Sequence, residues 1–282
     1  MTSAAPLEIV SAHSPDSDDA FMFYGLATKK VRSPKVSFRH VLEDIETLNR
    51  KAMEGQYELS AVSYHAYPYI ADKYVLMASG SSIGDGYGPS IISTRPMEIE
   101  ELKGKRIAIP GTMTTAYLAC RLFQPDFEPV VTPFDKIEDV VANGELEFGL
   151  LIHEGQLTFG ERGLHLVADM GDWWFKQTGL PLPLGGNVIR TDLSKPLIER
   201  ISRHLHDSIA YGLKHRSAAL DHSMKFARGL DRSKADTFVG MYVNDWTLDY
   251  GPKGREAVRL FLKRGVESGV VTKSVDVKFA GD

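Results

Sequence analysis

The 282-residue chain has a single cysteine, Cys120, so it can form neither an internal disulfide nor a cysteine-rich metal site. No apolar run reaches the roughly 18 residues that a membrane-spanning helix needs. Basic residues are not in excess, since 33 Lys and Arg stand against 37 Asp and Glu, and the net charge of −4 disfavours a nucleic-acid partner. Phosphate-loop and dinucleotide motifs are missing, and no two histidines have the spacing of a zinc site.

The beginning of the sequence has neither the basic residues nor the long apolar core of a secretory signal. Residues 1–10 contain no Lys or Arg, and turn-forming residues follow from Ser14. This pattern predicts a cytoplasmic protein. At roughly 150 residues per domain, the length predicts about two domains. A chain of this size buries about three-quarters of its surface on folding and needs no covalent cross-link.

Short apolar runs alternate with amphipathic stretches over the first two thirds of the chain. This alternation predicts an α/β architecture with parallel sheets and helices on both faces. From Lys195 onward helical periodicity dominates, and we expect these helices to pack back onto the first sheet. The predicted strands are 7–12, 36–40, 59–64, 75–79, 90–93, 106–110, 130–134, 148–152 and 164–169. The main predicted helices are 43–54, 116–123, 137–143, 194–215, 218–227, 233–242 and 256–267.

Two segments have the composition of crossings between domains. Pro181–Gly186 is rich in Pro and Gly, and Ser93–Pro96 follows a predicted strand. They divide the chain into a discontinuous α/β domain, residues 1–95 plus 188–282 with the C-terminal helices, and an inserted α/β domain, residues 96–187. Two α/β lobes joined by two hinge crossings resemble the type 2 periplasmic-binding-protein fold. In such folds the ligand lies in the cleft, at the carboxyl ends of strands.

Polar residues end four of the predicted strands, where we therefore expect the ligand. The four segments are Ser14–Asp19, Ser63–His65, Gly111–Thr115 and His153–Glu154. Thr114, Thr115 and Ala116 follow a glycine-containing turn and open a predicted helix. Free N–H groups and the helix dipole at such a position favour an anion such as a carboxylate. A plain threonine cap is the other interpretation.

His153 follows the predicted buried strand 148–152. A histidine at that place can titrate near neutral pH and act as a general base, or it can be a hydrogen-bonded structural residue. Asp16, Asp18 and Asp19 lack the further ligands of an EF-hand, so we interpret them as acids at a helix start rather than as a metal-binding loop.

Several blocks of the sequence, in order and with similar gaps, resemble the 1,4-dihydroxy-6-naphthoate synthases of the futalosine route to menaquinone. The blocks are Val41–Arg50, Ser63–Tyr64, Pro110–Gly111, Thr114–Tyr117, Ile152–Glu154 and Thr178–Gly185, with weaker matches at Tyr242–Asn244 and Leu248–Asp249. Together they span most of the chain, which makes the series far more specific than any single motif.

The resemblance implies a lyase that converts cyclic dehypoxanthinylfutalosine, a small carboxylate, into 1,4-dihydroxy-6-naphthoate and dihydroxyacetone. The histidine of the family's Ile-His-Glu block is its proposed base, and that role passes to His153. The positions that correspond to the family's substrate pocket are Asn49, Ser63, Thr115 and Ala116, with Thr114 beside them. The resemblance implies no metal and no organic cofactor.

One loop departs from the family pattern. Where the family has Ser-Pro-Cys-Pro-Asn-Asp-Thr-Phe, this chain has Ser-Pro-Asp-Ser-Asp-Asp-Ala-Phe over residues 14–21. Asp19 and Phe21 are kept, and the Cys-Pro-Asn portion is replaced by Asp16, Ser17 and Asp18. The family's contacts therefore do not transfer residue by residue in this loop.

Two other functions fit the same expected fold, because a fold does not fix a function. One is a solute-binding protein of a transporter. We expect such a protein to have a secretory signal and a lipid-anchor cysteine near its start, and the sequence shows neither. The other is chorismate dehydratase of the same pathway. The Glu43–Asn49 and Ile152–Glu154 blocks favour the naphthoate synthase over the dehydratase.

Overall fold

A computed structural model describes residues 5–282. Residues 1–4, part of the segment in which we expect no signal sequence, lie outside the described residues. The strands are β1 Leu7–His13, β2 Val36–Leu42, β3 Leu59–Ser63, β4 Tyr74–Leu76, β5 Ser82–Gly84, β6 Ser90–Ser93, β7 Lys105–Ile109, β8 Phe127–Val131, β9 Phe148–Leu151, β10 His165–Asp169 and β11 Leu182–Arg190. The helices are α1 Ser17–Met22, α2 Tyr24–Ala27, α3 Ile45–Glu54, α4 Tyr67–Ile70, α5 Thr115–Phe123, α6 Ile137–Ala142, α7 Met170–Thr178, α8 Lys195–Lys214, α9 Arg216–Ser223, α10 Arg232–Tyr242, α11 Asp245–Leu248 and α12 Gly251–Glu267.

The strands form two sheets, one in each lobe of an α/β fold. In the first sheet the order is β2-β1-β3-β11-β4, with β5 paired to β11, and in the second it is β10-β6-β9-β7-β8. Both sheets are mixed rather than purely parallel, because β11 runs antiparallel to β3 and β6 runs antiparallel to β9. Each of these two strands brings the chain in from the other lobe, so it enters its sheet at the carboxyl edge of the parallel strands and runs against them.

The chain changes sheet at two places. The first change comes between Gly84 and Ser90, a few residues before the expected Ser93–Pro96 segment, because β6 pairs with β9 and β10 of the second sheet. The second comes between α7 and the start of β11. Most of the expected hinge Pro181–Gly186 is therefore strand, and its residues pair with β5 and β3.

Gly186, in the Gly-Gly pair of that segment, lets two tyrosine side chains pack directly against the backbone of β11. A Cβ on Gly186 would lie 2.4 Å from the hydroxyl oxygen of Tyr250 and 2.9 Å from that of Tyr64. These two hydroxyl groups are hydrogen-bonded to each other at 2.7 Å, deep in the core. A glycine inside a strand often marks such a close approach, although in the sequence alone the pair is typical of a turn.

Helix α3 shows how local signals position a residue of the later site. Its N-cap, Asp44, accepts a hydrogen bond from the backbone N–H of Thr47 at 3.0 Å, and Gly55 ends the helix in the left-handed conformation at φ 73°. The buried face of the helix carries Leu48, Asn49 and Ala52. The amphipathic pattern of the sequence thus places Asn49 against the sheet.

The C-terminal helices pack as expected. Ile201, Leu205 and Ile209 of α8 lie in one hydrophobic cluster with Ile9 of β1 and Leu59 of β3. Helix α12 contacts β11 of the first lobe and α5 of the second. No helix within residues 5–282 is both long enough and apolar enough to cross a membrane.

Candidate functional site

A cavity lies where the ends of strands from both sheets meet. Its volume is about 130 Å³, which is below the range of most small-molecule sites, roughly 300–1,000 Å³. Polar and apolar side chains from both lobes line it. The lining includes Ser14, Asp16, Asp18, Asp19, Ser63, Gly80, Thr114, Thr115, Ala116, Ile152, Gln156, Leu184, Gly185, Gly186, Asn187, Phe238 and Tyr242.

The hydroxyl groups of the two neighbouring threonines at the start of α5 differ in their hydrogen bonds. Thr114 is the N-cap: its hydroxyl accepts a hydrogen bond from the Tyr117 N–H at 3.2 Å and donates one to the Gly111 carbonyl at 2.9 Å. The hydroxyl of Thr115 is buried, has no hydrogen-bond partner and belongs to a side chain that lines the cavity. The free N–H groups of this helix start and the unpartnered hydroxyl together form a site suited to a carboxylate.

Asn49 lies behind the cavity wall rather than in it. Its side chain is fully buried. The amide oxygen accepts the Ser63 N–H at 2.8 Å, and the amide nitrogen donates to the Met113 carbonyl at 3.2 Å. On the same helix, Glu46 accepts the Met113 N–H at 3.0 Å. Asn49 thus fixes Ser63, which lines the cavity, relative to the turn that precedes α5.

His153 is buried beside the cavity and is not among the residues that line it. Its Nδ1 accepts a hydrogen bond from the Gly155 N–H at 2.8 Å, and its Nε2 lies 2.8 Å from the Phe134 carbonyl oxygen. Because Nδ1 is an acceptor, Nε2 carries the proton and donates it to that carbonyl. In this conformation neither ring nitrogen presents a free lone pair to the cavity.

The loop that departs from the family pattern brings carboxyl groups to the cavity. Asp16, Asp18 and Asp19 all line it. Burial is the largest cause that raises the pKa of Asp18 well above its usual range, and the neighbouring carboxyl groups raise it further. Burial also raises the pKa of Asp19 to about 7, against the opposing effect of the Ser14 N–H, which donates to the Asp19 carboxyl at 2.7 Å. The expectation that these acids serve only as helix-start residues is therefore incomplete.

Arg228 joins this loop to the second lobe. Its guanidinium lies 2.6 Å from an oxygen of Asp16 and 3.3 Å from one of Glu154. Ser17 donates its hydroxyl to the other oxygen of Glu154 at 2.9 Å. Glu154 is almost completely buried and directly follows His153, so these contacts also hold the histidine's segment in place.

Sequence reasoning missed much of the lining that β11 and α10 supply. Asn187 lines the cavity and lies two residues after the Thr178–Gly185 block. The match of this block to the family pointed to the segment, but its Pro and Gly content led us to predict a hinge there. Tyr242 opens one of the weaker matching blocks, and its hydroxyl donates to Gln156 of the second lobe at 2.7 Å.

The charge of the cavity limits the ways in which it can hold an anion. Among the described residues that line it there is no Lys, Arg or His, whereas three aspartates do line it. A carboxylate must therefore bind to neutral N–H and O–H donors, and these are concentrated at the start of α5. Within residues 5–282 no group of three or more His, Cys, Asp and Glu side chains has an arrangement that could hold a metal ion.

A family model described as menaquinone biosynthesis matches residues 9–267. The chain belongs to the menaquinone biosynthesis family. This match covers both lobes and all the residues of the cavity, and it confirms the family expected from the sequence blocks.

Two curated members of the family are similar over nearly the whole chain. A protein of Thermus thermophilus named "1,4-dihydroxy-6-naphtoate synthase" is 43% identical over 251 residues, 89% of this chain and 91% of its own. One of Streptomyces coelicolor with the same name is 36% identical over 276 residues, 95% of this chain and 96% of its own.

Solved structures confirm the two-lobed fold. A crystal structure of a protein from Archaeoglobus fulgidus is 45% identical, with a TM-score of 0.90, and the match covers 94% of this chain and 98% of that one. An alkanesulfonate-binding protein from Xanthomonas axonopodis has a TM-score of 0.71 at 13% identity, with 97% of each chain covered. At that identity the second likeness shows the periplasmic-binding-protein-like fold alone.

Proposed function

We propose that the chain is a carbon–carbon lyase of menaquinone biosynthesis that converts cyclic dehypoxanthinylfutalosine into 1,4-dihydroxy-6-naphthoate and dihydroxyacetone. The observation that carries the proposal is that the sequence blocks that resemble the naphthoate synthases meet in one cavity. Ser63, the start of α5 and the Leu184–Gly185 portion of β11 all line it. The relatives are biosynthetic enzymes by name, and we place the activity in the cytoplasm.

In this proposal the carboxylate of the substrate binds at the start of α5. The N–H groups of Thr115 and Ala116, and the hydroxyl groups of Thr115 and Ser63, supply neutral donors that line the cavity. Such donors and the helix dipole stabilise an anion without a cationic side chain. The apolar surfaces of Ile152 and Phe238 are suited to the aromatic part of the substrate.

We propose His153 as the base that removes a proton from the substrate and so starts the cleavage of the carbon–carbon bond. Its neighbour Ile152 lines the cavity, and its neutral imidazole is in the protonation state that a base needs. To accept a proton, Nδ1 must first release the Gly155 N–H, so the reaction requires a small movement of residues 153–155. That movement would bring the ring towards the cavity.

The direct test is to incubate the purified protein with cyclic dehypoxanthinylfutalosine and to follow the absorbance of the naphthoate together with the release of dihydroxyacetone. We expect both products in equal amounts, and no conversion of chorismate offered in parallel. Consumption of chorismate in place of the futalosine derivative would assign the chain to the dehydratase reaction. Tight binding of either compound without turnover would favour a solute-binding protein.

The base is tested with His153→Asn, and His206→Asn at an exposed position of α8 is the matched control. We expect kcat to fall at least about a hundredfold in His153→Asn, the lower end of what a positioned base contributes, with little change in substrate binding. The control should keep the wild-type kcat. A folded His153→Asn variant with nearly wild-type kcat would exclude His153 as the base and leave it the structural role that its two backbone hydrogen bonds describe.

A further inference from the structure

Asn187 presents an unsatisfied hydrogen-bond acceptor to the cavity. The side chain is 1% exposed. Its amide nitrogen donates to the Gly80 carbonyl at 2.8 Å, which fixes the orientation of the amide group, and its amide oxygen has no hydrogen-bond partner. A buried acceptor without a partner is costly, and it is satisfied when a ligand brings a donor to it.

Asp18 lies on the same side of the cavity as Asn187. Met22 is one turn after Asp18 on α1, so the two side chains share a face of that helix. The sulfur of Met22 is 3.6 Å from the amide nitrogen of Asn187. The Asp18 carboxyl and the free amide oxygen of Asn187 thus belong to one part of the wall, supplied entirely by the first lobe.

This part of the wall differs in chemistry from the start of α5 in the second lobe. Asp18 and its neighbour Asp19 repel a carboxylate when ionised, and burial raises the pKa of both carboxyl groups and so favours their protonated forms. Carboxyl and amide oxygens accept hydrogen bonds from hydroxyl groups, and a protonated carboxyl also donates one. An uncharged fragment with several hydroxyl groups is the chemical class that such a surface binds best.

We propose that Asn187 and Asp18 bind the hydroxyl groups of the three-carbon fragment that leaves as dihydroxyacetone. The inference rests on the proposed function, because it assigns one end of that substrate to the first lobe. With the carboxylate at α5 and the hydroxyl groups at α1 and β11, the ligand bridges the two lobes in a single orientation. Asp18 replaces a residue that the family pattern has as asparagine, so the loop keeps a side chain able to accept hydrogen bonds at this position.

The test compares two ligands, because the naphthoate product keeps the carboxylate but lacks the three-carbon fragment. For Asn187→Ala and Asp18→Ala, we expect kcat/KM for the futalosine substrate to fall about 3- to 10-fold, as the loss of one hydrogen bond predicts. The inhibition constant of 1,4-dihydroxy-6-naphthoate should change less than about twofold. Asp276→Ala, which removes an exposed carboxylate far along the chain, is the matched control and should change neither quantity.

The outcomes separate this proposal from the proposed function. Equal weakening of substrate and product in a variant with a wild-type melting temperature would overturn the assignment to the hydroxyl groups, and so would an unchanged kcat/KM for the substrate in both variants. Should Asn187→Ala fail to fold because the Gly80 carbonyl loses its donor, Asp18→Ala and Asp18→Asn decide the question, with Asp18→Asn expected to retain more activity than Asp18→Ala. A wild-type protein that binds the naphthoate but leaves the substrate unconverted would contradict the proposed function instead.

Discussion

Thr115 is the single residue on which carboxylate binding should depend most directly. Its hydroxyl is buried in the cavity wall without a partner. We predict that Thr115→Val weakens binding of the naphthoate product about 10- to 150-fold, since losing a hydrogen bond to a charged group costs roughly 1.5–3 kcal/mol. Isothermal titration calorimetry measures the dissociation constant.

The matched control for this variant is Thr237→Val on the exposed face of α10. It removes the same hydroxyl group from a helix and should leave the dissociation constant unchanged. If Thr115→Val binds the naphthoate as tightly as the wild type, the carboxylate does not contact this hydroxyl, and the backbone N–H groups of α5 suffice.

Asp19 gives the folded state a pH dependence with a definite sign. Its pKa is about 7 in the folded protein against an ordinary 3.8, so between these values the folded state binds more protons than the unfolded state. The free energy of unfolding contributed by this group is therefore greatest below about pH 4 and falls as the pH rises to about 7. The amide that Asp19→Asn introduces does not titrate, and its oxygen can still accept the Ser14 N–H.

We predict that Asp19→Asn gains stability relative to the wild type between about pH 5 and pH 8, as measured by urea unfolding at both values. The quantity to compare is the difference in unfolding free energy between Asp19→Asn and the wild type. Burial lowers the pKa of His13 to about 3 and that of His40 to about 4, so both histidines destabilise the two proteins alike in acid. A difference in unfolding free energy that is the same at both pH values would contradict the prediction.

At the scale of elements, helix α3 carries the bonds that align the two halves of the carboxylate site. Asn49 connects it to β3 through Ser63 and to the turn before α5 through Met113. We predict that Asn49→Ala lowers the free energy of unfolding by about 1–3 kcal/mol, because buried partners lose their hydrogen bonds. It should also weaken naphthoate binding, although Asn49 does not line the cavity.

Asn49→Asp separates the two effects. An ionised aspartate can still accept the Ser63 N–H, but it cannot donate to the Met113 carbonyl. Because the carboxylate would be buried without a cationic partner, we expect thermal unfolding to show at least as great a loss of stability as for Asn49→Ala. We also expect the naphthoate to bind more weakly, because the turn before α5 is no longer held by Met113. If Asn49→Ala is destabilised while the naphthoate binds with wild-type affinity, the residue stabilises the fold without aligning the site.

For the whole molecule, we propose that the two lobes close on the substrate about the two changes of sheet. Contacts that join the lobes in this structure lie on both sides of the cavity: Asn49 to Met113 on one side, and Arg228 to Glu154 and Tyr242 to Gln156 on the other. An open form must break some of them. The closed form excludes water and brings residues 153–155 towards the substrate.

We predict that the radius of gyration from small-angle X-ray scattering decreases when the naphthoate is added. Arg228→Gln, which removes the ion pairs to Asp16 and Glu154, should give a larger radius without ligand and need more ligand to reach the closed value. Arg203→Gln, at an exposed position of α8, is the control. Scattering curves that superimpose with and without ligand for all three proteins would contradict closure.

The local pattern of the sequence is enough to predict most elements and the place of the cavity. Strand β1 and helix α3 are predicted within two residues of their observed bounds, because apolar periodicity and caps such as Asp44 act over a few neighbouring residues. Ser63 and Thr115 are identified by their positions at strand ends and by the matching blocks. The position of a residue at a strand end depends only on its neighbours in sequence, whereas the blocks are specific because the series of them spans most of the chain.

Contacts between residues far apart in sequence determine how individual side chains of the site are packed and hydrogen-bonded, which the local sequence pattern does not predict. Whether Gly186 is a turn or a tightly packed strand depends on the hydroxyl groups of Tyr64 and Tyr250. The amide oxygen of Asn187 is free while its nitrogen donates to Gly80, and both ring nitrogens of His153 are occupied, by the Phe134 carbonyl and the Gly155 N–H. Which polar atom of a side chain is hydrogen-bonded, and which remains free for a ligand, depends on partners that are distant in sequence and meet only in the folded chain.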